Sequence, residues 1–213
     1  MNGGIGGSLT QQWVDLLLRV KNSFQPDVIV MVFSLRDGTR TSARGSFFEP
    51  IRDEIKFRND ESFYYQHVYL LKLYQDYRDR IYLSKKYSKR LNDSYWGNSE
   101  QTQEWENAKR NILKIKQIGE EAQVKVAMVV FPVLVELNDQ YPFKKICEMI
   151  IKFGAESTIP VYDLLPAFMG KHAPDLWVSA FDQHPNVTAH AIAAKSMLPF
   201  LRQLMEESRP NDL

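Results

Sequence analysis

The sequence predicts an α/β chain whose doubly wound parallel sheet lies between layers of helices. Three observations carry this. Asp27 to Phe33 and Val124 to Phe131 are continuous apolar runs rich in β-branched residues, the pattern of strands covered on both faces. Segments of helical period stand before, between and after these runs. A third short run, Ile159 to Tyr162, follows a further helical segment, so helices and strands alternate along the chain.

The chain opens with Met1-Asn2-Gly3-Gly4-Ile5-Gly6-Gly7 and runs directly into a helix. Leu9, Trp13, Leu16, Leu17, Val20 and Phe24 fall on one face of it. Ser8 suits the N-cap, with Gln11 as its capping-box partner, and Pro26 ends the helix. Gly7 then stands at a helix N-terminus, where unpaired N–H groups can hold an anion or a developing oxyanion. The alternative is a flexible tail. The first strand ends in Ser34-Leu35-Arg36-Asp37-Gly38-Thr39-Arg40. Ligand sites of open α/β sheets gather past the carboxyl ends of strands, which makes Arg36 and Asp37 candidates. The alternative is an Asp-Gly surface turn whose two charges pair with each other.

Residues 43–97 read as a helical insertion. Phe63, Tyr64, Val68, Leu71, Tyr74, Tyr77 and Ile81 support one or two helices. Lys85, Lys86, Lys89 and Arg90 cluster beside Tyr82, Tyr87 and Tyr95, a mixture that can suit nucleic acid. The near-zero net charge favours a solvated amphipathic insertion, a lid or an oligomer contact instead. From Ser99 to Gln123, a helix carries the core stripe Trp105, Ala108, Ile112, Ile115 and Ile118. Pro132 stops the second strand. Pro142 opens the next helix, lined by Ile146, Cys147, Met149, Ile150 and Phe153 and ended by Gly154. Cys147 lies in that stripe and reads as a core residue. The last helix, from about Pro185 to Glu207, buries Val187, Ala191, Ala194, Met197, Leu198, Leu201 and Leu204.

The 213 residues suit a single domain, 1–213, with an ordinary 44% of hydrophobic and 25% of charged residues. A net charge of +1 gives no bulk argument for nucleic acid or an acidic membrane. One cysteine excludes an internal disulfide framework and a multi-thiolate metal site. No apolar run approaches the roughly 20 residues of a membrane span. The opening residues do not read as a signal peptide, and compartment and oligomeric state stay open.

The chemistry concentrates in Ser179-Ala180-Phe181-Asp182-Gln183-His184-Pro185-Asn186-Val187-Thr188-Ala189-His190. A carboxylate two residues before an imidazole can orient and tune it, and Pro-Asn suits the helix start that would fix where the ring points. The alternative is a helix-capping histidine paired to Asp182. His190 reads as structural, and a metal site of Asp182, His184 and His190 lacks a further ligand.

Together these segments resemble the SGNH (GDSL) hydrolases, flavodoxin-like esterases and acyltransferases, over nearly the whole chain. Asp182-Gln183-His184-Pro185-Asn186, followed by Ala189-His190, resembles the family's last block, whose Asp and His complete the catalytic triad. Asn2-Gly3-Gly4-Ile5-Gly6-Gly7 resembles its Asn-x-Gly-x-x-Gly block, which implies that the Gly7 N–H donates to the oxyanion. Val30 to Gly38 resembles the strand that ends in Gly-x-Asn-Asp, with Ser34 and Arg36 in place of the glycine and asparagine. Arg36, a charged donor, can take over the asparagine's role at the oxyanion or point elsewhere. The Gly-Asp-Ser block with the nucleophile has no counterpart, because Ser8, Ser34, Ser42, Ser46 and Ser179 all lack its context. The resemblance therefore implies a three-layer flavodoxin-like sheet incomplete at the N-terminus, with roughly two strands and the serine expected before Met1. It implies hydrolysis or acyl transfer on a small-molecule or carbohydrate O-acyl ester, without a cofactor, nucleic acid or metal. A non-catalytic binding module derived from that fold is the competing expectation.

Overall fold

The structure, a computed structural model, describes residues 3–4, 7–39, 67–99, 102–179 and 182–208. Residues 43–66 of the expected insertion, with Phe63 and Tyr64, lie outside the described residues, as do Ser42, Ser46 and most of the Gly-rich opening.

The described elements alternate as expected. Helix α1 (Thr10–Val20) precedes strand β1 (Val28–Ser34), which runs into a one-turn 3₁₀ segment, Leu35–Gly38. Helices α2 (Tyr69–Trp96) and α3 (Gln103–Glu121) lead to β2 (Lys125–Phe131). Next come α4 (Lys144–Glu156), β3 (Val161–Asp163) and the short α5 (Leu165–Phe168). A second 3₁₀ turn, Ala173–Leu176, enters an antiparallel hairpin of β4 (Trp177–Ser179) and β5 (Asp182–Pro185), and α6 (Val187–Glu206) closes the described chain.

The sheet is parallel, in the order β1-β2-β3. Val28 to Ser34 pair in register with Lys125 to Phe131, and Met128 to Val130 with Val161 to Asp163. Val126 to Val130 are buried throughout, because β2 is central and covered on both faces. Strand β1 is an edge of this sheet, and its Val32 is 51% exposed. The α/β class is as expected; the two-stranded β4–β5 hairpin was not legible as strands.

An aromatic chain fastens the helices to β1. Phe33 meets Trp13 of α1 edge-on at 6.5 Å and Trp105 of α3 at 6.2 Å. Trp105 in turn packs on Tyr95 at 5.3 Å and Phe153 at 5.6 Å. The predicted stripe of α3 is buried at all five positions.

Several local expectations are corrected. Leu9, not Ser8, is the N-cap of α1, and its N–H donates to Gln12 Oε1 at 2.8 Å. Ser8 Oγ instead accepts the Trp13 indole N–H at 2.9 Å. Phe24 is exposed, since α1 stops a turn before it. Pro142 precedes α4, whose N-cap is Phe143. On α6 the inward face is Ala189, Ala193, Met197, Phe200 and Leu204, while Val187 and Leu198 are exposed. Apolar residues lie around most of that helix, so periodicity alone does not choose the face, and the two alanines allow the closest approach.

Gly154 is a packing residue inside α4 rather than its terminator. A Cβ there would sit 2.1 Å from Val161 Cγ2, so glycine is what lets α4 rest against β3. Gly154→Ala is expected to destabilise the fold by about 1–3 kcal/mol in urea titration, with partial recovery in the Gly154→Ala/Val161→Ala double variant. An unchanged midpoint in the single variant would show that the contact yields freely.

Candidate active site

The expected acid–base pair is in direct contact. Asp182 Oδ1 lies 2.5 Å from His184 Nδ1 and also accepts the His184 backbone N–H at 3.0 Å. One carboxylate oxygen thus holds both the ring and the backbone of the same residue. Those two bonds pull the Asp182 pKa below the usual carboxylate value, the backbone bond contributing most. A carboxylate accepting at Nδ1 selects the tautomer with the proton on that nitrogen and leaves Nε2 as the basic atom. The imidazole stands 72% exposed.

The hairpin around the pair is built by backbone capture. Asn186 caps α6 through its Oδ1, which accepts the Ala189 N–H at 3.0 Å. Its amide nitrogen donates to the carbonyls of Asp175, at 2.9 Å, and Trp177, at 3.0 Å. Its backbone N–H donates to Leu176 O at 2.9 Å. The Trp177 indole donates to Leu134 O at 2.7 Å, which ties β4 to the loop just past β2. Ser179 Oγ accepts the Asp182 N–H at 3.1 Å and so supports the turn between the strands. Asn186, not His184, therefore caps the helix, which removes the capping alternative for the histidine. His190 lies one turn into α6, with its ring 6.4 Å from Phe131.

Arg36 directly follows the carboxyl end of β1, whereas Gly7 lies in the turn that precedes the N-cap of α1. Trp13 sets the first turn of α1 beside Phe33, near the end of β1, and Gly7 stands in the turn just before it with φ +72°. That φ lies in the left-handed region where glycine is favoured. Arg36 and Asp37 occupy the 3₁₀ turn directly after β1. Asp37 is partly buried, and its Oδ2 accepts the Ser34 N–H at 2.7 Å. Burial pushes its pKa up to about 6, against the lowering effects of the Ser34 bond and the Arg36 charge. The Asp-Gly turn is thus folded into the domain rather than left on the surface, because Tyr95 donates to Leu35 O at 2.6 Å and closes over Gly38.

Asp163 was not singled out from the sequence. It ends β3 at the carboxyl edge of the sheet, its Oδ1 accepts the Leu165 N–H at 2.9 Å, and burial raises its pKa. A carboxylate directly after a short apolar strand was the available signal. Of the serines, Ser8 and Ser179 are engaged with Trp13 and Asp182 as described, and Ser42 and Ser46 lie outside the described residues. Tyr95 is buried and Tyr87 packs against the core, so neither is presented as a stacking platform for a base. Among the described residues, no three or more His, Cys, Asp or Glu side chains gather as a metal site, and no helix is long and apolar enough to cross a membrane.

Comparison with protein-family models, with characterised proteins and with solved structures returns no match to this chain.

Two predictions follow from the geometry. Asn186→Ala removes the cap and two amide hydrogen bonds donated to backbone carbonyls, and is expected to cost about 2 kcal/mol in chemical denaturation, with increased amide exchange in both strands of the hairpin. For Asp37, the folded pKa is raised from 3.8 to about 6, so the folded state holds the proton more tightly. Its contribution therefore falls as pH rises through that window, by up to about 3 kcal/mol. Asp37→Asn should flatten the stability profile between those pH values, and an unaltered slope would refute the assignment.

Proposed function

We propose that this chain carries the histidine–aspartate part of an SGNH-type ester hydrolase or acyltransferase that acts on an O-acyl substrate. The observation that carries the reading is the Asp182 Oδ1–His184 Nδ1 contact of 2.5 Å, with the imidazole exposed on a hairpin tied to the loop just past β2. Support also comes from Arg36, which follows the carboxyl end of β1, and from Gly7, in the turn before α1, both the kinds of group that stabilise an oxyanion. The nucleophilic serine, in this reading, lies outside the described residues.

The proposed chemistry is a double displacement. His184 Nε2 takes the serine proton as the hydroxyl oxygen attacks the ester carbonyl. Asp182 keeps the ring oriented and stabilises the imidazolium, without itself taking the proton. The Gly7 N–H and the Arg36 guanidinium hold the negative charge that forms on the carbonyl oxygen. The imidazolium then gives its proton to the departing alcohol, and an acyl-serine remains. Water, or a second alcohol in acyl transfer, takes the place of the first alcohol and releases the acyl group.

A second reading, a non-catalytic interaction module, is favoured by the exposed leucine and tyrosine side chains of α2. Steady-state hydrolysis of short p-nitrophenyl esters separates the two. The polypeptide extended upstream in frame should cleave them, and His184→Ala should lower kcat by about 10³–10⁴ while Arg36→Ala lowers it by about 10². No cleavage by the extended polypeptide, or an equal rate in His184→Ala, would favour the interaction module.

A further inference from the structure

Helix α2 packs into the apolar core through its second half. Leu91 and Tyr95 are 0% and 4% exposed, and Tyr87 packs against the core beside Phe143. Leu73 and Tyr77 precede Leu91 and Tyr95 by eighteen residues each, or five full turns, so they project in the same direction from one continuous helix. Yet Leu73 is 52% exposed and Tyr77 62%, and with them Leu70 (73%), Tyr74 (59%) and Tyr69 (77%). The polar residues Gln75 and Asp79, nearly opposite on the helix, are buried. The first half of α2 thus turns an apolar face outward that its second half turns into the core.

We propose that this face, Tyr69 to Tyr77 of α2, pairs with the same face of a second copy of the chain. The size of the patch supports this occupant. Three tyrosines and two leucines at these exposures offer at most roughly 600 Å² of surface per copy, or about 1,200 Å² for a pair, which reaches the lower end of the range of stable interfaces. The shape supports it too. A short stripe paired about a two-fold axis near Leu73 and Tyr74 is self-complementary, with Leu70 of one copy set against Tyr77 of the other. Its composition is that of an interface centre, rich in tyrosine and leucine rather than lysine and glutamate. Charge argues for a protein rather than a lipid surface. Residues 69–80 carry Lys72, Arg78 and Arg80 against Asp76 and Asp79, whereas the basic cluster Lys85, Lys86, Lys89 and Arg90 lies further along the helix. The inference is independent of the ester chemistry at His184.

Sedimentation velocity of the full chain from about 1 to about 100 μM tests it. The wild type is expected to sediment with twice the mass of the 24.8 kDa chain, and Leu73→Glu and Leu70→Glu each as a monomer with unchanged circular dichroism, a loss of at least about 100-fold in dimer affinity. Leu113→Glu, at an exposed position on α3, should remain dimeric. A wild type that is monomeric throughout would overturn the proposal, as would a dimer that survives both α2 substitutions. A monomer that floats with phosphatidylserine vesicles through this face would assign it to a lipid surface and overturn the proposal equally.

Discussion

Tyr95 reaches from α2 to the backbone of the turn after β1, and its hydroxyl donates to Leu35 O at 2.6 Å. Burial pushes its phenol pKa well above the usual value, which favours the protonated, donating hydroxyl. Much of the molecule depends on this contact. It brings α2 so close that a Cβ on Gly38 would lie 2.1 Å from the Tyr95 oxygen. It folds Leu35–Gly38 into the domain, which partly buries Asp37 and sets Arg36 at the carboxyl edge of the sheet. Trp105 packs on the same ring, so the clamp extends through Phe33 and Trp13 to the first turn of α1, next to Gly7. The clamp also anchors one end of a 28-residue helix whose face from Tyr69 to Tyr77 is exposed.

The second organising feature is Asn186. Its cap on α6 and its two amide bonds to the carbonyls of Asp175 and Trp177 draw the end of the hairpin, the start of the helix and the preceding 3₁₀ turn to one point. Trp177 then fastens the hairpin to the loop after β2. The Asp182–His184 pair is exposed, yet it is carried on a segment whose ends are tied to the sheet. An exposed contact of this kind contributes little to stability, and its evident effect is to orient the imidazole.

The parts legible in the sequence were those governed by local periodicity. Lys125 to Phe131 could be read as a buried strand because nearly every residue is apolar, and the stripe from Trp105 to Ile118 because its spacing has one solution on a helix. Asp182-Gln183-His184 was legible because a two-residue spacing brings the groups together with little help from the fold. What escaped depended on contacts distant in the chain. Gly154 looks like a helix stop until Val161 is placed against it. The inward face of α6 cannot be chosen among so many apolar residues without the sheet it lies on. The burial of Asp37 follows from Tyr95, 58 positions further along the chain. The strand character of Trp177–Ser179 and Asp182–Pro185 is hidden because both strands are short and mixed in polarity, and they are held by Asn186 and Trp177 rather than by alternation.

The central proposal is that His184, oriented by Asp182, activates a nucleophilic serine. Fluorophosphonate labelling of the upstream-extended polypeptide, followed by peptide mapping, tests it most directly. The account predicts a single labelled serine in the segment preceding the Gly-rich turn, with labelling at least about 10²-fold slower in His184→Ala. Absence of labelling, or labelling at an undiminished rate in His184→Ala, would contradict it.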